Sequence, residues 1–300
     1  VITRTLLIEN PVSLSVKHKQ LVITNKEIGL QTPVPIEDIG VVIIDNKEVI
    51  ITMHVIQEMS ANNVAVVFCN SQHLPESMLL PLDSNSVQTE RFRNQIEAGI
   101  PLKKQLWQQT IKNKIRNQAS VLRITNKNEA PLHYMASQVK SGDITNEEAQ
   151  ASRYYWGVIF EEFKVSFRRE RMGMPPNNLL NYGYTILRAA VARALTGSGL
   201  LPTLGIHHRN KYNAYCLADD IMEPYRAWVD IEVWRIMHDV PNYHVLTREL
   251  KTRLLKVLTH DVHFENKSSP LMVALSSTTS SLANCFAGSE KFIRYPSLLG

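Results

Sequence analysis

The segment LGIHHRNKYNAYCLADDIMEPYR, from Leu204 to Arg226, crowds two adjacent histidines, two adjacent aspartates and a glutamate into a short span. Carboxylates and imidazoles are the side chains that ligate divalent cations and move protons near neutral pH. If a helix starts near Asp219, Asp220 and Glu223 stand three apart and face the same way. His207 and His208 then lie in the loop before it, beyond the break at Gly205. A plainer reading uses the same residues: Asp219 as an N-cap, with acids in a first turn where the helix dipole favours negative charge. It explains one acid comfortably and three poorly. The segment alone leaves both readings open.

A second acidic stretch lies upstream, in GDITNEEAQASRYYWGVIF. Thr145 and Glu148 fit the capping-box pattern, in which Glu148 only bonds back to the Thr145 backbone. Against that, Ala149, Ala151 and Ser152 form a small-residue face that lets another backbone or a ligand come close. Arg168, Arg169 and Arg171 in SFRRERMG could grip phosphates. His260 and His263 have no further ligands nearby in sequence and read as surface or core histidines. Tyr182 and Tyr184 read as packing residues. Cys216 sits beside the acids without a cysteine partner, which argues against zinc.

These groups must be held by elements whose character changes near residue 80. Before it run short β-rich segments: TLLIE, VSLSV, QLVIT, VVIID and VAVVF, separated by Asn10, Pro11, Asn25 and Pro33. Val12, Leu14 and Val16 fall on one face, and Met53, Ile56 and Met59 suggest one short helix. Strands of this size with tight turns imply a β-sandwich over residues 1–80. NSQHLPESMLLPLDSNS reads as a linker. Residues 81–300 are expected to be helical. Trp107, Ile111, Ile115 and Leu122 make one apolar stripe, with Lys103, Lys104, Lys112, Lys114 and Arg116 read as mostly off it and solvated. A helix after PPNN carries Leu180, Leu187, Val191 and Leu195 and stops at Gly197. A last one has Pro270 near its first position and Gly288 just past its end.

With 44% hydrophobic residues in 300, the chain can bury a large core, and a disordered reading is excluded. Its net charge of +5 fits an anionic partner, though weakly. Three scattered cysteines exclude a disulfide framework and point to a reducing cytoplasm. The opening VITRTLLIEN has no signal-peptide core. Arg188 and Arg193 interrupt the best apolar run, so no membrane helix is expected.

In this order and spacing, NEEAQASRYYW, PPNNLLNYGYTILRAAVARAL, LGIHHRNKYNAY and LADDIMEPYRAWVD resemble the CRISPR-associated integrase, the Cas-one family, in the versions that accompany Cas-nine. The likeness covers essentially the whole chain, including VIIDNKEVIITMHVIQEMSANNVAVVFC and HFENKSSPLMVA. It implies an N-terminal β-sandwich followed by an all-helical catalytic domain, and one divalent ion held by a glutamate, a histidine and a second acid. Those fall on Glu148, seven positions before Tyr155 of the Tyr155–Trp156 pair, on His208, and on Glu223, with Asp220 as a helper. Two carboxylates and one imidazole suit Mg²⁺ or Mn²⁺. The implied activity is metal-dependent strand transfer or nicking of double-stranded DNA, inserting short fragments into a CRISPR array. The implied partners are a second copy of the chain, paired through the sandwich, a dimer of Cas-two, and Cas-nine or other adaptation proteins. The rival expectations are a free-standing nuclease on branched DNA and a non-catalytic DNA-binding scaffold. A scaffold has no need of the Glu148, His208 and Glu223 set.

Overall fold

The computed structural model describes residues 4–163, 167–170, 173–265 and 267–299. Two four-stranded sheets face each other at the N-terminal end. In one, β2 (Val12–Lys17) and β3 (Gln20–Asn25) form an antiparallel hairpin, with β4 (Gln31–Pro35) outside β3 and β6 (Ile50–Ile51) beside β2. In the other, β1 (Arg4–Ile8), β5 (Ile39–Ile44) and β7 (Ala65–Cys69) run parallel, and β8 (Pro75–Leu79) closes the sheet antiparallel to β7. The parallel β5–β7 pair needs a crossover, which α1 (Met53–Ala61) supplies.

VVIID is an unbroken apolar run because β5 is buried on both faces. Val42 and Ile44 point into the sandwich with Val12, Leu14 and Leu21. Val41 and Ile43 join a separate, larger core shared with the helices. The sheet is therefore the middle layer between its partner sheet and the helical body.

Two local expectations change. The stretch read as a linker contains β8, since Pro75, Ser77, Met78 and Leu79 pair with Val66–Cys69. In α1, Thr52 caps the helix and puts Met53 in the solvent-facing first turn; Val55 and Met59, four apart, make the core contact.

The helical body comprises α2 (Gln88–Glu97), α3 (Ile100–Ile124), α4 (Ala130–Gln138), α5 (Glu147–Val158), α6 (Asn177–Gly197), α7 (Cys216–Met222), α8 (Arg226–Asp239), α9 (Arg248–Lys256) and α10 (Leu271–Phe286). A small hairpin of β9 (Asp261–Phe264) and β10 (Lys267–Pro270) precedes α10. Pro270 is the residue before the helix rather than its first, and Gly288 has the positive φ of 76° expected just past its end. α6 is the axis of the body: it lies across β5, β7 and β8 and packs on α7, α8, α9 and α10. Gly183 lets α8 approach, because a Cβ there would collide with the Val229 side chain. Among the described residues no helix is long and apolar enough to cross a membrane.

Candidate active site

Four chain segments meet at one place: the middle of α3, the start of α5, the loop before α7, and the turn between α7 and α8. The start of α5 is not the expected capping box. Asn146 is left-handed there, and the backbone N–H groups of Glu147 and Glu148 donate to the Asp143 carboxylate at 3.0 Å each. Asp143 thus caps the helix, and Glu148 is released from that task. Its Oε1 lies 2.6 Å from Nζ of Lys114 on α3.

The second acid arrives by a different route. The helix expected near Asp219 starts at Cys216, and it breaks at Glu223–Tyr225, a single 3₁₀ turn containing Pro224. Asp219 is not an N-cap; its carboxylate takes Arg188 through two bonds of 2.6 and 3.1 Å. Glu223, 5% exposed, has Oε2 2.8 Å from the same Lys114 Nζ and Oε1 3.0 Å from Arg226 Nη2. Burial would push the Glu223 carboxyl up, but Arg226 and Lys114 overcome it and hold it down at about 2. Lys114 moves the other way. Burial would strip its proton, yet Glu223 and Glu148 hold its ammonium above the ordinary lysine value.

His208 is oriented by Asp220. Its Nδ1 is 2.5 Å from Asp220 Oδ1, and a carboxylate oxygen accepts, so Nδ1 carries a proton; in the neutral ring the lone pair is then on Nε2. The bond to Asp220 raises the His208 pKa against the opposing effect of burial, and Glu223 and Glu148 add to it electrostatically. Asp220 is fully buried and also accepts the backbone N–H groups of His207 at 2.9 Å and His208 at 3.2 Å. The loop must be tight for this, and Gly205 permits it: a Cβ there would sit 2.7 Å from Asp220 Oδ2. His207 points elsewhere and stacks on Trp107 at 4.1 Å.

Beneath Glu223, Arg226 lies over the Tyr184 ring at 4.5 Å. The Tyr184 and Tyr155 hydroxyls both donate to buried Asp230, Tyr155 at 2.8 Å. A cavity of about 930 Å³ opens alongside, bordered by Arg169, Arg188, Arg226 and Tyr212. Arg169 bonds Asn177 and Asn181; Arg168 pairs with Glu170 on the surface; Arg171 lies outside the described residues. His263 is exposed and His260 half-buried, away from any acid cluster that could grip an ion.

Two features bear on a metal. Among the described residues no three His, Cys, Asp or Glu side chains stand ready to hold an ion, because the Lys114 ammonium lies between Glu148 and Glu223. Yet Glu223 Oε2 is buried without a hydrogen-bond donor of good geometry, Lys114 being near but badly angled. Two carboxylates already gathered on a cation, beside an imidazole whose lone pair is set by a carboxylate, form a donor set that fits a hard divalent ion.

Sequence reasoning missed Lys114, Arg226 and Asp230. Lys114 was findable: it is seven residues after Trp107 and three after Ile111, on the apolar stripe itself.

Fold and site together define a class of protein: a β-sandwich joined to a helical body, with a carboxylate–imidazole cluster where helices of that body meet. The family model described as CRISPR associated protein Cas1 matches residues 6–241. A curated relative, the CRISPR-associated endonuclease Cas1 of Neisseria meningitidis serogroup C, is 36% identical over 299 residues, 99% of this chain and 96% of the relative. The chain belongs to the Cas1 family, the Cas-one family of the resemblance above. Among solved structures, a casposase bound to its integration product aligns over 96% of this chain and 92% of its own at TM-score 0.79 and 21% identity. A Cas6-RT-Cas1–Cas2 complex aligns over 100% of this chain and 36% of the other at TM-score 0.74 and 18% identity. At such identities these two likenesses speak for the fold.

Proposed function

We propose that this protein is a metal-dependent DNA endonuclease and integrase of CRISPR adaptation. It would join the 3′ ends of a short duplex to the array by transesterification. The observation that carries this is the convergence of Glu148 and Glu223 on one ammonium beside His208. The relatives support it: one is named a CRISPR-associated endonuclease, and a structural neighbour was solved on an integration product.

Glu148, Glu223 and His208 Nε2 would hold the ion, with Asp220 keeping the imidazole in the required tautomer. Mg²⁺ or Mn²⁺ bound there would polarise a phosphodiester and offset its developing charge. Lys114 and Arg226 keep buried Glu223 ionised until the ion arrives. In the reaction, the attacking 3′-hydroxyl oxygen forms a bond to phosphorus as the target's own P–O3′ bond breaks. The proton lost by one hydroxyl is regained by the other, and the number of phosphodiesters is unchanged, so no energy source is needed. Water as the nucleophile would give nicking at the same site.

Insertion needs two strand transfers on opposite strands, and the described residues of this chain form one such cluster. A homodimer through the sandwich supplies two, and a Cas2 dimer is the proposed bridge, in keeping with the Cas1–Cas2 complex among the neighbours. Light scattering of the full chain tests the first point; a monomer would overturn it.

The deciding assay incubates the protein, with and without Cas2, with a short duplex and a supercoiled array plasmid in Mg²⁺, Mn²⁺ or chelator. Joined products that require metal support the reading. Hydrolysed plasmid alone would favour the free-standing nuclease, and products in chelator would remove the metal.

A further inference from the structure

Far along α6 from Tyr184 and Arg188 sits a charge the proposed chemistry does not use. Arg193 is 4% exposed, its Nε has no hydrogen-bond partner, and no ion pair reaches it among the described residues. Burial pulls its pKa down to about 10, which still leaves the guanidinium charged at neutral pH. Arg193 lines a pocket of about 440 Å³ between the end of α6, the start of α2, α10 and the turn after α1. Arg91 lines it too, its guanidinium bonded among the described residues to the neutral Asn284 amide oxygen at 3.1 Å. The remaining polar lining is amide and hydroxyl, including Asn63, Asn85, Ser276 and Ser280; no carboxylate is among it.

Charges buried this deeply are ordinarily paired. The nearby carbonyls at the end of α6 already accept from other donors. Ala194 O accepts from Thr279 Oγ1 and the Ser198 N–H, Thr196 O from Ser84 Oγ and the Gly199 N–H, and Gly197 O from Asn85 Nδ2. What is left is a cavity with two guanidinium forks, neutral amides and hydroxyls and no acid, a lining whose fixed charge is entirely positive and suits a tetrahedral oxyanion.

We propose that this pocket binds one phosphate-sized oxyanion, held by Arg193 and Arg91. Its source is either a free phosphate ion or a backbone phosphate of DNA. The site is separate from the Glu148–His208–Glu223 cluster and stands or falls independently of the metal-dependent reading.

The test uses the full chain in metal-free buffer at constant ionic strength, with inorganic phosphate against chloride. Calorimetric titration and melting are followed for the wild type, Arg193→Met and Arg91→Gln. Phosphate should bind and raise Tm in the wild type, and both variants should lose at least about tenfold in phosphate affinity. Arg193→Met should melt no lower than wild type without phosphate, because it removes an uncompensated buried charge. Should it fail to fold, Arg91→Gln decides. A parallel titration with duplex DNA identifies the source. A several-fold loss of DNA affinity in both variants assigns the pocket to a backbone phosphate. A phosphate response lost with DNA affinity intact assigns it to the free ion. Phosphate and DNA responses that are both unaltered in the variants, or a wild type that responds to neither, would overturn the site.

Discussion

Two buried clusters in this molecule use nearly the same residues to different ends. At the seam between sandwich and helices, Lys251 on α9 lies 2.6 Å from Asp45 and 3.4 Å from Glu9, Arg248 is 3.0 Å from Glu9, and His73 Nδ1 is 2.9 Å from Asp45. At the candidate active site, Lys114 bridges Glu148 and Glu223, Arg226 joins Glu223, and His208 leans on Asp220. In the seam, two acids face two permanent cations, and the histidine shares an acid that a lysine already neutralises. In the candidate site, three acids face two permanent cations, and the histidine has an acid to itself. The first arrangement is a closed ion pair that fastens β1 and β5 to α9. The second carries an excess of negative charge beside an imidazole lone pair. Residue type does not separate them; the allotment of partners does.

The sharpest way to break this contrast is to remove a proposed ligand. His208→Ala and Glu223→Gln should each lower strand transfer by at least about 10³-fold, about 4 kcal/mol of barrier. Melting of His208→Ala should stay close to wild type, since its partly exposed side chain faces a polar site. Glu223→Gln should also melt lower, because it leaves the buried Lys114 and Arg226 cations short of an acid. Comparable loss of stability and activity in His208→Ala would make the candidate cluster another fastening.

The seam should show the mirror image. Lys251→Met leaves buried Asp45 with only His73 as an ion-pair partner among the described residues, while Glu9 keeps Arg248, and should cost about 3 kcal/mol of unfolding free energy, read from urea melts. Turnover per folded molecule should survive. If activity collapses while stability holds, the seam has been misassigned.

Asp230, under Arg226, extends the contrast to an acid with hydroxyl donors instead of a lysine. Burial pushes its carboxyl up to about 6, although Tyr184, Tyr155 and Arg226 pull it down. The folded protein therefore holds that proton more tightly than the unfolded chain does. The resulting stability is fully present below about pH 4 and is lost as pH rises through about 6, roughly 3 kcal/mol in all. Urea melts from pH 4 to 7 should show wild type losing that much relative to Asp230→Asn. A constant gap between the two would refute it.

The smallest effects belong to the supports of His208. Asp220→Asn should slow strand transfer by about 10–100-fold, as for other groups that orient a ligand. His207→Ala, which gives up only the Trp107 stack, should be milder still. Equal damage from His207→Ala and His208→Ala would remove the distinction between the two histidines.

Much of the architecture was legible from local pattern. Alternation in Val12–Leu14, the continuous run of β5, and the Trp107–Ile111–Ile115–Leu122 stripe each record which faces meet the core. β8 was hidden because its residues are largely exposed and only pair at an edge. The acids and His208 stood out by type and by resemblance, while Lys114 was lost among lysines that are solvated.

The sequence by itself determined most of the elements, the order of sandwich and helices, and the supply of carboxylates and imidazoles, because side-chain periodicity and turn chemistry act over a few residues. Only the tertiary structure decided who partners whom. Asp143 rather than Thr145 caps α5, Asp219 turns to Arg188, Asp220 takes His208, and Lys114 reaches two acids that are 75 residues apart in the chain. Such pairings are set by desolvation and Coulomb forces between residues brought together by packing, and those forces depend on distance in space and burial, neither of which a linear spacing encodes.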